Sequence, residues 1–381
     1  MSRYHSYLNT AKSIIEQYNG QVPLASWLKD FFRQHKQMGS RDRKIIAELV
    51  YCYYRLGHSA KDLDLEDRML TGLFMSNQSA NEVLNQLKPE WNTALRLPIN
   101  EKLTHCQRSS NLIFPWQHEL SDGVDIEAFN TSFLLQPDLF LRVRPGHQKT
   151  VRRKLIDAGI DYREVSLNCL ALRNAVNLDS LIELDKEAVI QDYNSQRVAD
   201  FLGLPASDSA VWDCCAASGG KSIMAYDLDP GIRLTVSDVR ESILHNLHKR
   251  FKRAGISNYE SFIADLAASQ ATPRGQTLII ADLPCSGSGT WARTPENLNF
   301  FNPEKIGYYS HLQKQILTNV FPALEKGGQL VYITCSVFKK ENEDVVDFIQ
   351  ETGQLSLITM ELLKGYTLKA DSMFVAVFTK I

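Results

Sequence analysis

The sequence predicts an α/β protein: a doubly wound, mainly parallel sheet in the C-terminal half, preceded by an all-helical segment and a small α+β insert. Three observations carry this reading. Short apolar strands alternate with helical stretches from about Leu181 onward, the pattern of a sheet covered on both faces. No strand pattern of any length interrupts roughly the first 120 residues. Residues able to do chemistry follow the strands directly, where ligands of such sheets bind.

The helices come first. From Ser40 to Leu56 the apolar residues Ile45, Ile46, Leu49, Val50, Tyr53 and Leu56 recur at helical spacing. Ser40 reads as the N-cap, Asp42 lies in the first turn and Gly57 is the stop. Similar spacing runs through Tyr7–Tyr18 and, after Pro23, Leu24–Phe32, with shorter helices at Asp67–Met75 and Asn81–Leu87. At Leu139–Val143 the texture changes to a strand, LFLRV, ended by the turn Arg144-Pro145-Gly146. A helical Gln148–Ala158 and short strands at Tyr162–Val165 and Cys169–Leu172 follow. Strands of the main sheet are expected at Ala210–Cys214, Arg233–Ser237, Ser261–Ala264, Thr277–Ala281, Gln329–Thr334 and Phe374–Thr379, with helices such as Ser242–Ala254 and Leu312–Leu324 between them. The expected domains are residues 1–125, 126–180 and 181–381.

Composition narrows the function classes. The 381 residues are 44% hydrophobic and 23% charged, which suits a folded protein of two or three domains. No apolar run reaches the roughly 18 residues of a membrane span, and the polar N-terminus lacks a signal-peptide core, so a cytoplasmic location is expected. Seven cysteines, with no CxxC pair, give neither a disulfide framework nor a zinc site, and no metal is expected. The net charge of −2 is not the basic signature of a nucleic-acid protein, although residues 1–60 hold nine Lys or Arg against four acids. A solvated helical surface explains that excess equally well.

The loops are more informative. The first main strand runs into Asp213-Cys214-Cys215-Ala216-Ala217-Ser218-Gly219-Gly220-Lys221-Ser222, with a helix starting near Gly220. Small residues there let backbone N–H groups approach a ligand at a helix N-terminus. A P-loop needs a glycine where Cys215 stands, and no GxGxxG is present, so neither a nucleoside triphosphate nor NAD is indicated. The next three strands end at Asp238, Asp265 and Asp282. One such acid reads as a helix cap, but three after a glycine-rich loop read as the edge that holds a nucleoside cofactor, with Asp238 placed for ribose hydroxyls. Beyond Asp282 comes Leu283-Pro284-Cys285-Ser286-Gly287-Ser288-Gly289, and beyond the fifth strand Cys335-Ser336, then Glu341-Asn342-Glu343. A single cysteine is usually a small buried hydrophobe, the reading that suits Cys52, Cys106 and Cys169. Cys285 and Cys335 instead sit on the ligand-binding edge.

This ordered set resembles the Sun-type (Fmu-like) RNA cytosine-5 methyltransferases. It comprises Gln191-Asp192 with Ser195-Gln196, DCCAASGGKS, Asp238, Asp265, DLPCSGSG, and YITCS followed by ENE. The likeness covers roughly residues 181–381 and, less closely, LFLRVRPG. The N-terminal helices, with Gly39-Ser40-Arg41-Asp42-Arg43 entering one of them, look like the NusB-like domain of the subgroup that modifies small-subunit ribosomal RNA. The resemblance implies a Rossmann-like methyltransferase domain, a NusB-like RNA-binding domain and an RRM-like insert. It also implies S-adenosylmethionine as cofactor and RNA, of the small ribosomal subunit, as partner; no protein partner is indicated. Cys335 would be the nucleophile toward cytosine carbon 6, and Cys285 would assist product release. Asp282 would hold the cytosine N3 proton. Residues Cys215, Ala216, Ala217, Ser218, Gly219, Gly220 and Lys221 would hold the methionine end of the cofactor, with Asp238 on the ribose and Asp265 near adenine. Sequence alone leaves the two cysteine roles open, since DNA cytosine methyltransferases use the cysteine of a Pro-Cys loop as nucleophile.

Arg142, Arg144 and the cluster Lys249, Arg250, Lys252 and Arg253 are candidate phosphate contacts, the cluster alternatively a solvated helix face. The chain departs from the family pattern at Ser218, where proline is usual, at Arg240 and Ile243 after Asp238, and at Arg250, where asparagine is common. A looser cofactor loop and weaker cofactor binding are the expectation. Two rival readings are a transfer RNA substrate and a retired enzyme kept as an RNA-binding assembly factor. The intact Cys285, Cys335 and three acids argue against the second.

Overall fold

The computed structural model describes residues 3–174, 176–203, 208–268 and 273–381. The chain forms two compact units. One is made of Met1–His118, Val124–Gln136 and Thr290–Pro303, the other of Glu119–Gly123, Pro137–Gly289 and Glu304–Ile381.

The first unit is helical, built on Arg3–Gln17, Leu24–Gln34, Ser40–Arg55 and Leu65–Ser76. The third helix buries Ile45, Ile46, Leu49 and Val50, as its spacing predicts. Its entry differs from expectation. Ser40 is the first helical residue, and Gly39 is the N-cap, its N–H donating to Asp42 Oδ2 at 3.1 Å. The acid three residues on thus satisfies the cap backbone, and no serine cap is needed. Helices three and four touch at Gly72, where a Cβ would lie 2.1 Å from Cys52 O, so only glycine fits. Arg55 is buried and its Nη1 donates to Phe133 O, Leu135 O and Ala292 O at 2.9, 3.1 and 2.9 Å. One guanidinium thereby ties together the three chain segments of the unit.

The second unit holds two sheets. The smaller consists of β1 (Leu139–Val143), β2 (Tyr162–Ser166), β3 (Cys169–Leu172) and β4 (Ala188–Ile190), antiparallel in the order β2-β3-β1-β4. The helix Gln148–Asp157 packs Val151 and Leu155 against Leu141, Val143, Leu170 and Leu172. The larger consists of β5 (Ala210–Asp213), β6 (Arg233–Asp238), β7 (Tyr259–Ile263), β8 (Gln276–Asp282), β9 (Leu324–Thr334), β10 (Leu355–Leu363) and β11 (Met373–Lys380). Its order is β10-β11-β9-β8-β5-β6-β7. Strands β5 to β9 are mutually parallel, and β11 and β10 close the edge antiparallel. From β5 the chain runs outward through β6 and β7, then returns to the other side as β8 and β9. The order therefore reverses beside β5, where the carboxyl ends of such strands leave a crevice.

Two strands, β4 and β10, go beyond those expected, and the helix placed at Leu312–Leu324 is Glu304–Val320, with β9 already begun at Leu324. Among the described residues no helix is long and apolar enough to cross a membrane. No group of three or more His, Cys, Asp or Glu among them is arranged to hold a metal ion.

Candidate functional site

The glycine-rich segment leaves β5 at Asp213, and the helix Gly220–Leu228 follows. Between them Ala216 N donates to Ser237 O at 2.9 Å and Gly219 N to Ala216 O at 2.8 Å, closing a tight turn. Ala217 has φ +47° and Gly219 φ +81°, both left-handed. A Cβ on Gly219 would lie 2.7 Å from the Phe251 ring, so both backbone angle and space demand glycine there. Nothing lies within 4 Å of a Cβ at Gly220, so the helix N-terminus faces open space.

Asp238 closes β6 and is buried. Its Oδ2 accepts Ala217 N at 3.0 Å, which fixes the turn. Its Oδ1 accepts Arg240 N and Nε at 2.9 and 3.1 Å. Lys221 places its Nζ 2.6 Å from Asp282 Oδ2, in an ion pair whose lysine is largely covered. Burial alone would lower the Lys221 pKa, but the Asp282 charge and hydrogen bond more than offset it and leave the ammonium raised. Asp213 and Cys335 are also within its electrostatic range. Asp213 accepts Ser222 Oγ at 2.6 Å, and burial pushes its carboxyl up to about 7. Asp265 stands two residues past the end of β7, its Oδ1 accepting Ala267 N at 3.0 Å.

The two edge cysteines meet. Cys285 lies three residues past β8, Cys335 one residue past β9, and their sulfurs are 3.3 Å apart. The loops that carry them are stitched by backbone bonds, Leu283 N to Ile333 O at 3.1 Å and Gly289 N to Cys335 O at 2.9 Å. The hydrogen bond with Cys335 and then burial push the Cys285 thiol well up. Beneath the pair is Glu341, fully buried. Its Oε2 accepts Ser286 N at 2.7 Å and its Oε1 accepts Ser336 Oγ at 3.0 Å. One carboxylate thus holds the neighbours of both cysteines. Burial raises its pKa while these hydrogen bonds oppose the rise. Asn342 accepts Thr334 Oγ1 at 2.6 Å and donates to Ser336 O at 3.0 Å.

Cys285, Cys335, Asp282 and Lys221 therefore come together, joined at the strand ends by Asp213 and the turn on Asp238. Glu341 received no role from the sequence, although its place six residues after Cys335 was visible. The candidate phosphate contacts need correction. Arg142 and Arg144 are buried; Arg142 Nη1 and Arg144 Nη2 donate to Asp227 at 2.5 and 2.7 Å, and Arg144 Nη1 donates to Asp185 O and Ala254 O, both at 2.8 Å. A guanidinium out of water needs such partners, and these two are spent on the fold. Arg250 is likewise paired, with Asp185 and Ser218. Lys249 and Lys252 remain exposed.

Residues 201–378 match the model of the family described as 16S rRNA methyltransferase RsmB/F. The ribosomal RNA small subunit methyltransferase B of Xanthomonas campestris pv. campestris is 33% identical over 193 residues, 48% of this chain and 44% of the relative. That of Citrobacter koseri is 30% identical over 233 residues, 58% of this chain and 53% of the relative. The chain spans about half the length of the curated relatives it matches. Among solved structures, that of PH0851 superposes with a TM-score of 0.72 at 18% identity, covering 100% of this chain and 99% of the other, which shows a shared fold.

Proposed function

From a segment, 201–378, that is of the RsmB/F methyltransferase family, we propose that this chain methylates carbon 5 of a cytosine in RNA, using S-adenosylmethionine. The observation that carries it is the pair of sulfurs, 3.3 Å apart past the adjacent strands β8 and β9, beside the Lys221–Asp282 ion pair. Small-subunit ribosomal RNA is the proposed substrate, after the names of the relatives. The helical residues 1–125 act as a NusB-like RNA-binding module and residues 126–180 as an RRM-like one, in a cytoplasmic protein.

The residues present fit the cofactor. Nothing lies within 4 Å of a Cβ at Gly220, at the start of the helix, and Asp238 stands at the end of β6. Cys215–Lys221 would hold the methionine end, Asp238 the ribose and Asp265 the adenine side. When bound, the cofactor supplies the electrophilic methyl group.

Carbon 5 of cytosine is a poor nucleophile and needs covalent activation. The Cys335 sulfur adds to carbon 6, with the Lys221 ammonium within electrostatic range of it. The addition loads electron density onto carbon 5, and Asp282 holds the N3 proton that offsets the charge. After methyl transfer a water molecule takes the carbon-5 proton, the electron pair it leaves re-forms the carbon 5–carbon 6 double bond, and the carbon–sulfur bond breaks as Cys335 departs with its pair. Cys285, in contact with Cys335, assists that departure. The target base must be unpaired or flipped to reach the site.

Purified Cys335→Ala is expected to lose methyl transfer while still binding RNA, and Cys285→Ala to accumulate a denaturation-resistant protein–RNA adduct. Normal turnover by Cys335→Ala would sink the assignment. Bisulfite sequencing of total RNA from a deletion strain identifies the substrate: loss of a mark from transfer RNA alone would replace ribosomal RNA.

A further inference from the structure

The loop Ala216–Gly219 holds two left-handed residues around Ser218, one of them an alanine, and such a turn needs outside support. Support comes from the helix Glu241–Ala254. Its Phe251 and Leu247 pack beneath Gly219. Its Arg250 reaches Ser218 directly: Nη1 donates to Ser218 O and to Ser218 Oγ, both at 2.9 Å. The other edge of the same guanidinium is anchored, Nε donating to Asp185 Oδ1 at 2.8 Å. Asp185 is itself immobilised. It is buried at φ +69°, its N–H donates to Ala188 O at 2.8 Å, its carbonyl accepts Arg144 Nη1 at 2.8 Å, and its Oδ2 accepts Arg253 Nη2 at 2.6 Å. The Arg250 side chain is only 17% exposed, so solvent screens these charge-assisted bonds little.

We propose that Asp185, Arg250 and Ser218 form a strap that holds the cofactor loop in its binding shape, making Arg250 a positioning residue for S-adenosylmethionine that it does not touch. The proposal rests on the cofactor site assigned above. A serine in this turn leaves φ free where a proline would lock it. The planar fork of Arg250 replaces that covalent stiffness with three hydrogen bonds. The expectation of a loose loop is thereby reversed, since Ser218 and Arg250 compensate one another.

The test uses the full chain, with calorimetric titration of S-adenosylmethionine and methyl-transfer kinetics on a ribosomal RNA transcript. Arg250→Met removes charge-assisted bonds and should raise the Kd and KM for the cofactor about tenfold. Its kcat at saturating cofactor and its KM for RNA should stay within about twofold of wild type, a split that general destabilisation would not produce. Asp185→Asn, a residue that tolerates the left-handed angle, should weaken cofactor binding about threefold. The double variant should be no weaker than Arg250→Met, because the two act in series. Ser218→Pro added to Arg250→Met should recover most of the affinity. Cofactor affinity within about twofold of wild type in a folded Arg250→Met, or a parallel fall in kcat, cofactor and RNA binding, overturns the strap. Should Arg250→Met not fold, Asp185→Asn is judged by the same criteria. A wild-type chain that binds no S-adenosylmethionine overturns the cofactor site itself, and the strap with it.

Discussion

Replacing Glu341 tests whether the spacing of the two sulfurs is built by one buried carboxylate. Its oxygens accept Ser286 N at 2.7 Å and Ser336 Oγ at 3.0 Å. Those two residues flank Cys285 and Cys335. Glu341→Ala removes both acceptors from a site with no access to water. Ser336 Oγ can turn toward Ser288 Oγ, 3.2 Å away, but Ser286 N loses its carboxylate partner. A hydrogen bond to a charged group contributes about 1.5–3 kcal/mol, so losing the pair should cost about 3–5 kcal/mol. At about 2–4 °C per kcal/mol for a unit of this size, the melting temperature should fall by roughly 6–20 °C. Glu341→Gln keeps one acceptor for Ser286 N and a donor toward Ser336 Oγ, so its loss should stay near 1 kcal/mol. Scanning fluorimetry reads the first effect. Methyl-transfer kinetics at 25 °C, where both variants stay folded, reads the second: kcat should fall at least tenfold in Glu341→Ala, with cofactor affinity unchanged. An alanine variant that melts within about 2 °C of wild type and turns over normally would show that the loops keep their geometry without the carboxylate.

Three further outcomes follow from the site. Asp213 titrates near 7 in the folded chain, against about 3.9 unfolded, so its contribution favours the folded state at low pH and is lost as pH rises through 7, by an amount on the order of 4 kcal/mol. Asp213→Asn, which can still accept Ser222 Oγ, should therefore gain in melting temperature relative to wild type between pH 5 and pH 8; a difference that stays flat across that range would contradict the buried, protonated carboxyl. Gly219→Ala places a methyl group 2.7 Å from Phe251 at φ +81°, a combined cost of about 2–4 kcal/mol that calorimetry should register as lost cofactor binding. Arg240 is 58% exposed and occupies Asp238, the proposed ribose acceptor, so Arg240→Ala should tighten S-adenosylmethionine binding by less than about fivefold. A weakening of more than threefold would instead make Arg240 a cofactor contact.

What could be read from sequence divides along a physical line. Strands β5, β6, β8, β9 and β11 are short apolar runs because both faces of a central strand are covered, and each was legible. Strand β10 was not: it lies on the edge, with Ser356, Ile358, Thr359, Met360 and Glu361 exposed and its register broken between Leu357 and Thr359, so neither alternation nor a continuous apolar run marks it. The meeting of Cys285 and Cys335 followed from each standing just past a strand, because parallel neighbours deliver their carboxyl ends to one edge. Charge behaved differently. Arg142, Arg144 and Arg250 look like surface cations in one dimension, since their partners Asp227, Asp185 and Ser218 lie between 32 and 85 residues away. Side chains that act through a strand end are set by local chain direction, which sequence records. Side chains that act through a distant partner are set by packing, which it does not. Ser218 and Arg250 belong to the second kind: each is a departure taken singly, and together they are one interaction.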